Sequence, residues 1–137
     1  MHLIVNPAGE LPIYRQIMRQ ITEAIAGGRL KGGDKLASHR ELSEQLVIAP
    51  LTVKKAYDEL EIQGFIETQR GRGTFVCSRL PQPDPADQLD QVREAARKLL
   101  SQAYLAGIGF SDVLKTLKEA DREITRGPEA QREKEPL

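Results

Sequence analysis

The sequence predicts a mainly α fold with a small β-hairpin, in two parts that a proline-rich segment joins. Apolar residues recur at helical spacing over most of the chain. Two β-rich runs near residues 65–68 and 74–77 flank a glycine-containing loop, which indicates a hairpin. Three prolines fall within residues 81–85, and since proline fixes φ and removes a backbone donor, this stretch predicts an extended linker.

Composition and charge exclude several classes of protein. The single cysteine, Cys77, forbids an intrachain disulfide, which is usual in a reducing cytoplasm. Residues near the start do not follow a signal-peptide pattern, and no apolar run approaches the roughly 20 residues that span a bilayer, so we expect a cytoplasmic protein without a membrane partner. The net charge is zero, but residues 1–80 hold eleven Lys/Arg against nine Asp/Glu, with a basic cluster at Arg70, Arg72 and Arg79. Such a local cluster can contact phosphates.

The first half of the chain predicts three helices and a hairpin. The first helix is expected to begin near Leu11, with Pro12 in its first turn, because isoleucines follow at every fourth position from Ile13 to Ile25. A second helix is expected from Ser38, which forms a Ser-x-x-Glu capping box with Glu41. After a short break, a third helix spans about residues 50–63, with Val53, Ala56, Tyr57 and Leu60 on its buried face. A very short strand is predicted at residues 35–36. This order of elements is the winged helix-turn-helix arrangement.

The second half predicts two helices that associate with another copy. Apolar residues recur at alternating spacings of three and four, the pattern of a coiled-coil seam. Ser111 is expected to cap the second of these helices, with Val113, Leu114, Leu117 and Ile124 facing inward. Residues 1–79 therefore form the predicted winged domain, and residues 80–137 a linker, a helical dimerisation segment and a frayed tail. The predicted dimerisation residues are Leu89, Val92, Ala96, Leu99, Leu100, Ala103, Tyr104 and Leu117.

Residues 11–76 resemble the GntR family of bacterial regulators. The matching segments occur in order and at the family's spacing: 12–17 (PIYRQI), 33–36 (GDKL), Ser38, 40–42 (REL), 52–60 (TVKKAYDEL), 64–66 (GFI) and 70–76 (RGRGTFV). Each segment alone is a weak motif, whereas the ordered set is specific. Only 57 residues follow Leu80, which resembles the short YtrA-like branch of this family. The resemblance implies a homodimeric transcription factor whose C-terminal helices form the dimer.

The resemblance also implies where DNA binds. A recognition helix reaches base edges with its N-terminal residues, and a basic wing enters the minor groove. The predicted DNA-binding residues are Ser38, Arg40, Pro50, Thr52, Lys54, Lys55, Arg70, Gly71 and Arg72. Each has a plainer explanation. Ser38 could only cap its helix, Arg40 could pair with Glu44, and the lysines and wing arginines could merely be solvated.

Four residues depart from the usual pattern of the family: Ala37, His39, Ala49 and Leu51. Ala49 is a poor N-cap and cannot hydrogen-bond a base, which costs the helix roughly 1 kcal/mol. Apolar contact with thymine methyl groups could partly replace the missing polar reader. The operator is therefore expected to differ from the family's usual one, or to be bound more weakly.

Two functions remain after this comparison of motifs. The first is a sequence-specific DNA-binding regulator, expected to be a repressor, which binds a two-fold operator in double-stranded DNA. The alternative is a winged-helix module that binds another protein and no DNA. We expect no enzyme, no cofactor and no metal, since paired catalytic carboxylates, a Ser/His/Asp set, metal-ligand spacing and a phosphate-binding glycine loop before a helix are all missing from the sequence. Cys77 is expected to be a small strand residue, and no residue pattern points to a small-molecule effector.

Overall fold

Five helices and three short strands make up residues 2–81 and 84–127, the part of the chain that the computed structural model describes. The chain divides into two compact units, Met1–Pro81 and Gln82–Leu137. The predicted linker residues Gln82 and Pro83 and the predicted frayed tail beyond Gly127 lie outside the described residues. Among the described helices, none is both long and apolar enough to cross a membrane.

Helix α1 (Ile13–Ala26) packs against helix α3 (Pro50–Ile62) and forms the centre of the first unit. Ile17 and Ile21 of α1 are completely buried, as are Val53, Ala56 and Leu60 of α3. Burying one such aliphatic side chain contributes about 1.5–3 kcal/mol, so this contact dominates the stability of the unit. Pro12 is the N-cap of α1, one position before the first turn that the sequence predicted.

Helix α2 (His39–Leu46) begins as predicted, with the Ser38 hydroxyl accepting a hydrogen bond from the Glu41 N–H at 3.1 Å. The helix ends at Val47, whose φ of 55° lies in the left-handed region. A β-branched residue rarely adopts this conformation, because its Cβ crowds the following carbonyl. The Val47 side chain is 88% exposed, so no burial of its own offsets this strain.

A three-stranded antiparallel sheet completes the first unit, in the order β1-β3-β2. The predicted hairpin is confirmed, although its strands β2 (Ile66–Gln69) and β3 (Gly73–Val76) each lie one residue closer to the loop. The predicted short strand β1 (Lys35–Leu36) pairs with β3, and places Leu36 opposite Thr74. Leu36, Ile66 and Val76 are buried, so the sheet closes the core beside α3.

The second unit contains helices α4 (Pro85–Leu105) and α5 (Phe110–Arg126). Asp84 caps α4 through its side chain, which accepts a hydrogen bond from the Ala86 N–H at 3.1 Å. The prediction that Ser111 caps α5 is wrong. Gly109 is the N-cap, since its carbonyl already accepts hydrogen bonds from the N–H groups of Asp112 and Val113.

Few apolar side chains of the second unit are covered. Ala103 and Val113 are its buried apolar residues among those described, and both lie close to the turn between α4 and α5. The prediction that Leu114 and Leu117 face inward is wrong for the single chain, because these side chains are 42% and 47% exposed. The helical spacing identified an apolar face correctly, but the chain itself does not cover that face.

The left-handed Val47 yields a prediction for stability. Val47→Gly removes a backbone-strain penalty of about 1–2 kcal/mol, but the greater freedom of glycine in the unfolded chain costs about 0.5–1 kcal/mol. We therefore expect the free energy of unfolding to rise by roughly 0.5–1 kcal/mol. Thermal unfolding at fixed protein concentration measures this as a rise of a few degrees in Tm. Val47→Ala is the control, since it retains the Cβ and should give no comparable gain. Equal or lower stability of Val47→Gly would show that the turn is unstrained.

Candidate nucleic-acid interface

The first turn of α3 projects from the core into solvent. The predicted buried face is confirmed, because Val53, Ala56, Tyr57 and Leu60 are all buried. On the opposite face, Pro50, Leu51 and Lys54 are exposed, and Thr52 is partly buried. An exposed N-terminal turn on an otherwise anchored helix has the geometry that reading the major groove requires.

Lys54 is tied to its own helix by an ion pair. Its ammonium nitrogen lies 2.8 Å from a carboxylate oxygen of Asp58, one turn later. Both side chains are about half exposed, and such i,i+4 pairs contribute only about 0.3–0.5 kcal/mol. Lys54 can therefore exchange Asp58 for a phosphate or a base edge at little cost, although Asp58 reduces the positive charge of this surface.

Lys55 contacts helix α1, which the sequence did not predict. Its ammonium nitrogen lies 4.2 Å from the centre of the Tyr14 ring, within the range of a cation–π interaction. The Tyr14 hydroxyl accepts a hydrogen bond from the Arg15 guanidinium at 3.2 Å, and this bond lowers the pKa of Tyr14. Two cations and a phenol oxygen thus share the surface where α1 meets α3. Tyr14 and Arg15 belong to a segment that resembles the family, but their contact with Lys55 depends on tertiary packing.

A buried tyrosine fixes the segment that precedes α2. The Tyr57 hydroxyl donates a 2.7 Å hydrogen bond to the Ala37 carbonyl, twenty residues away. Burial raises the pKa of Tyr57, and the nearby Glu41 carboxylate raises it further, so the hydroxyl remains a donor at all physiological pH values. The bond holds the segment that carries Ser38 and Arg40 at a set position relative to α3. Arg40 is exposed, and within residues 2–81 and 84–127 it forms no ion pair with Glu44.

The wing presents its two arginines on a tight turn. The Arg72 N–H donates to the Gln69 carbonyl at 2.9 Å and closes the turn, and Arg70, Gly71 and Arg72 are all exposed. Gly71 has φ +78°, a value that glycine adopts without the cost of a Cβ. A second contact anchors the wing, because Glu61 of α3 accepts a hydrogen bond from the Thr68 N–H at 3.1 Å.

The described residues offer little support for metal binding or for a reactive thiol. In residues 2–81 and 84–127, no three His, Cys, Asp or Glu side chains are grouped closely enough to hold a metal ion. Cys77 directly follows β3, and its N–H donates to the Phe65 carbonyl at 2.9 Å. Burial raises the pKa of the Cys77 thiol, and Glu67 and Glu61 raise it further, which disfavours the reactive thiolate.

Comparison with known proteins identifies the family. Residues 13–76 match the family described as bacterial regulatory proteins, gntR family. The transcriptional repressor YtrA of Bacillus subtilis is 36% identical over 90% of this chain and 95% of its own length. The chain belongs to the GntR family. Its resemblance to that family, and within it to the YtrA-like branch, is thereby confirmed.

Solved structures agree with this assignment over both units of the chain. A transcriptional antiterminator from Listeria monocytogenes EGD-e is 30% identical, has a TM-score of 0.76, and is matched over 91% of this chain and 93% of its own. The GntR-family factor YtrA from Sulfolobus acidocaldarius is 31% identical with a TM-score of 0.53, over 88% and 97% of the two chains. The mainly helical winged fold is confirmed. This GntR-family chain is a DNA-binding transcriptional regulator and not an enzyme.

Proposed function

We propose that this regulator represses transcription by binding a two-fold operator as a homodimer. One observation carries the DNA-binding part of the proposal: helix α3, whose first turn is exposed, is anchored to the segment that carries Arg40 and to the wing that carries Arg70 and Arg72. Tyr57 bonds to the residue before Ser38, and Glu61 bonds to the wing strand beside Arg70 and Arg72. The surface proposed to contact DNA contains Ser38, Arg40, Pro50, Thr52, Lys54, Lys55, Arg70, Gly71 and Arg72.

The three segments have different proposed roles. The first turn of α3 enters the major groove, where Thr52 and Lys54 reach base edges or phosphates. Arg40 and Lys55 contact the phosphate backbone on the flanks, while Ser38 acts mainly as the cap of α2. The wing inserts an arginine into the minor groove, where the negative potential is strongest, and Gly71 permits the close approach of its backbone.

The homodimer follows from the uncovered face of α4 and α5. Leu89 and Val92, which lie at the spacing of a coiled-coil seam, are 51% and 64% exposed, and Tyr104, which widens the apolar stripe, is 54% exposed. A contiguous apolar stripe of this kind marks an interface, and a second copy supplies a stripe of matching spacing. Ala103 is a correction to the predicted set, because it is buried and supports the turn. The proposed interface contains Leu89, Val92, Ala96, Leu99, Leu100, Tyr104 and Leu117.

A dimer explains why the operator would have two-fold symmetry. Two symmetry-related recognition helices present the same side chains to two half-sites, which lie about 34 Å or a multiple of it apart. Repression is proposed because the similar YtrA of Bacillus subtilis is a repressor. Binding to operator DNA requires the location that the sequence predicted, the cytoplasm.

DNA binding is tested by titrating the full chain against a duplex from its own upstream region and against a scrambled duplex, at two salt concentrations. We expect at least ten-fold tighter binding to the native duplex, and affinity that falls steeply with salt because phosphate contacts release counterions.

Arg40→Ala should weaken binding and reduce the slope of log K against log salt by about one. Asp58→Asn should strengthen binding, since it releases Lys54 and removes a negative charge.

The control for these variants is Arg19→Ala, which removes an exposed arginine from the same unit but outside the proposed surface. It should leave the affinity and the salt slope unchanged. If the wild-type chain binds neither duplex below about 100 μM at low salt, it binds more weakly than ordinary non-specific binders. That result would favour the protein-interaction module over the repressor.

The dimer is tested by measuring mass in solution with light scattering. Wild type should have twice the 15.3 kDa mass of one chain, whereas Val92→Asp should be monomeric because it places a charge in an apolar seam. Ser101→Asp adds the same charge on the opposite side of α4 and should remain dimeric. A monomeric wild type, or an undisturbed Val92→Asp dimer, would contradict the proposed interface.

A further inference from the structure

The N-terminal end of α3, the proposed recognition helix, is apolar and exposed. Leu51, the second residue of α3, is 77% exposed, and Val47 in the preceding turn is 88% exposed. Val47 and Pro50 border the same shallow surface depression. We call this surface of Val47, Pro50 and Leu51 the apolar tip. It lies where a DNA-reading helix first meets the bases, whereas large apolar side chains are more often buried.

Hydrogen bonding offers the apolar tip little means of reading bases. Ala49, the N-cap of α3, has no side chain that accepts or donates, and Pro50 has no N–H. Two polar side chains, Ser43 and Glu44, border the same depression. The Ser43 hydroxyl donates to the Arg40 carbonyl and the Glu44 carboxylate can only accept, while Lys54 on the next turn is paired with Asp58. Leu51 itself can therefore contribute to recognition only through apolar contact.

The major groove presents one apolar feature, the C5-methyl group of thymine. A guanine, cytosine or adenine edge placed against Leu51 would lose its hydrogen bonds to water without gaining a partner. A thymine methyl, by contrast, is removed from water together with the leucine side chain, and both groups gain from this burial.

We propose that Leu51 reads thymine methyl groups in the major groove and so determines which operator this regulator prefers. This inference rests on the proposed function, since it requires that α3 binds DNA. Val47 and Pro50 complete the apolar surface on which the methyl group rests. Arg40 and Thr52, which belong to the proposed DNA-binding surface, supply the polar contacts that orient the duplex, so the tip itself supplies selectivity for thymine.

The test uses a duplex that the protein binds, isolated from a random library, and the same duplex with every thymine replaced by deoxyuridine. This change removes the C5-methyl groups and leaves every hydrogen-bonding group in place. Wild type should bind the uridine duplex roughly four-fold more weakly for each methyl contacted, or about fifteen-fold for one methyl in each half-site.

Two variants assign the effect to Leu51. Leu51→Ala should weaken binding to the thymine duplex and abolish most of the difference between the thymine and uridine duplexes. Ile62→Ala is the matched control, because Ile62 is 79% exposed at the far end of the same helix. It should retain the full difference between the two duplexes.

The possible outcomes separate this inference from the proposed function. If no duplex is recovered from the library and none binds, the proposed DNA-binding function fails, and the tip becomes a candidate protein-binding surface. If wild type binds both duplexes equally, the repressor proposal stands and the thymine inference is overturned. Retention of the difference by Leu51→Ala would also overturn it, because another residue, such as Thr52, would then read the methyl groups.

Discussion

The first unit depends on one constraint: α3 must be anchored along one face while its first turn remains free. Val53, Ala56 and Leu60 anchor the helix to α1 and α2 through completely buried contacts. Tyr57 orients α3 relative to α2, since its hydroxyl donates a hydrogen bond to the Ala37 carbonyl and so fixes the start of α2. The helix, the Arg40 segment and the wing are therefore held in a set relation by contacts within the first unit, and in the proposed complex this lowers the entropic cost of binding a rigid duplex.

The electrostatics of this regulator depend on where individual charges lie and not on its net charge. The chain has no net charge, and its lysines on α3 are held by Asp58 and by the Tyr14 ring. Arg40 and the wing residues Arg70 and Arg72 are exposed, and none of them forms an ion pair among the described residues. In the proposed complex, these arginines contact phosphates, while the selectivity proposed for Leu51 depends on apolar contact.

Much of the fold could be predicted from the sequence, because the first unit encloses its own core. The isoleucine repeat of α1, the Ser38 cap and the glycine-containing hairpin are local signals, and each was confirmed. Errors arose where the outcome depended on tertiary context. Spacing showed that Leu114 is apolar and periodic, but it could not show that the single chain leaves it exposed. The left-handed Val47 and the Lys55–Tyr14 contact were also missed, since neither has a sequence signature.

We propose that one surface, composed of the α2 start, the first turn of α3 and the wing, contacts the operator. Hydrogen–deuterium exchange of the full chain, with a bound native duplex and with a scrambled one, tests it most directly. The native duplex should slow exchange in peptides covering residues 38–55 and 67–76, and leave α5 unchanged. If the duplex binds and protects only α4 or α5, while residues 38–55 exchange as in the free protein, the claim is contradicted.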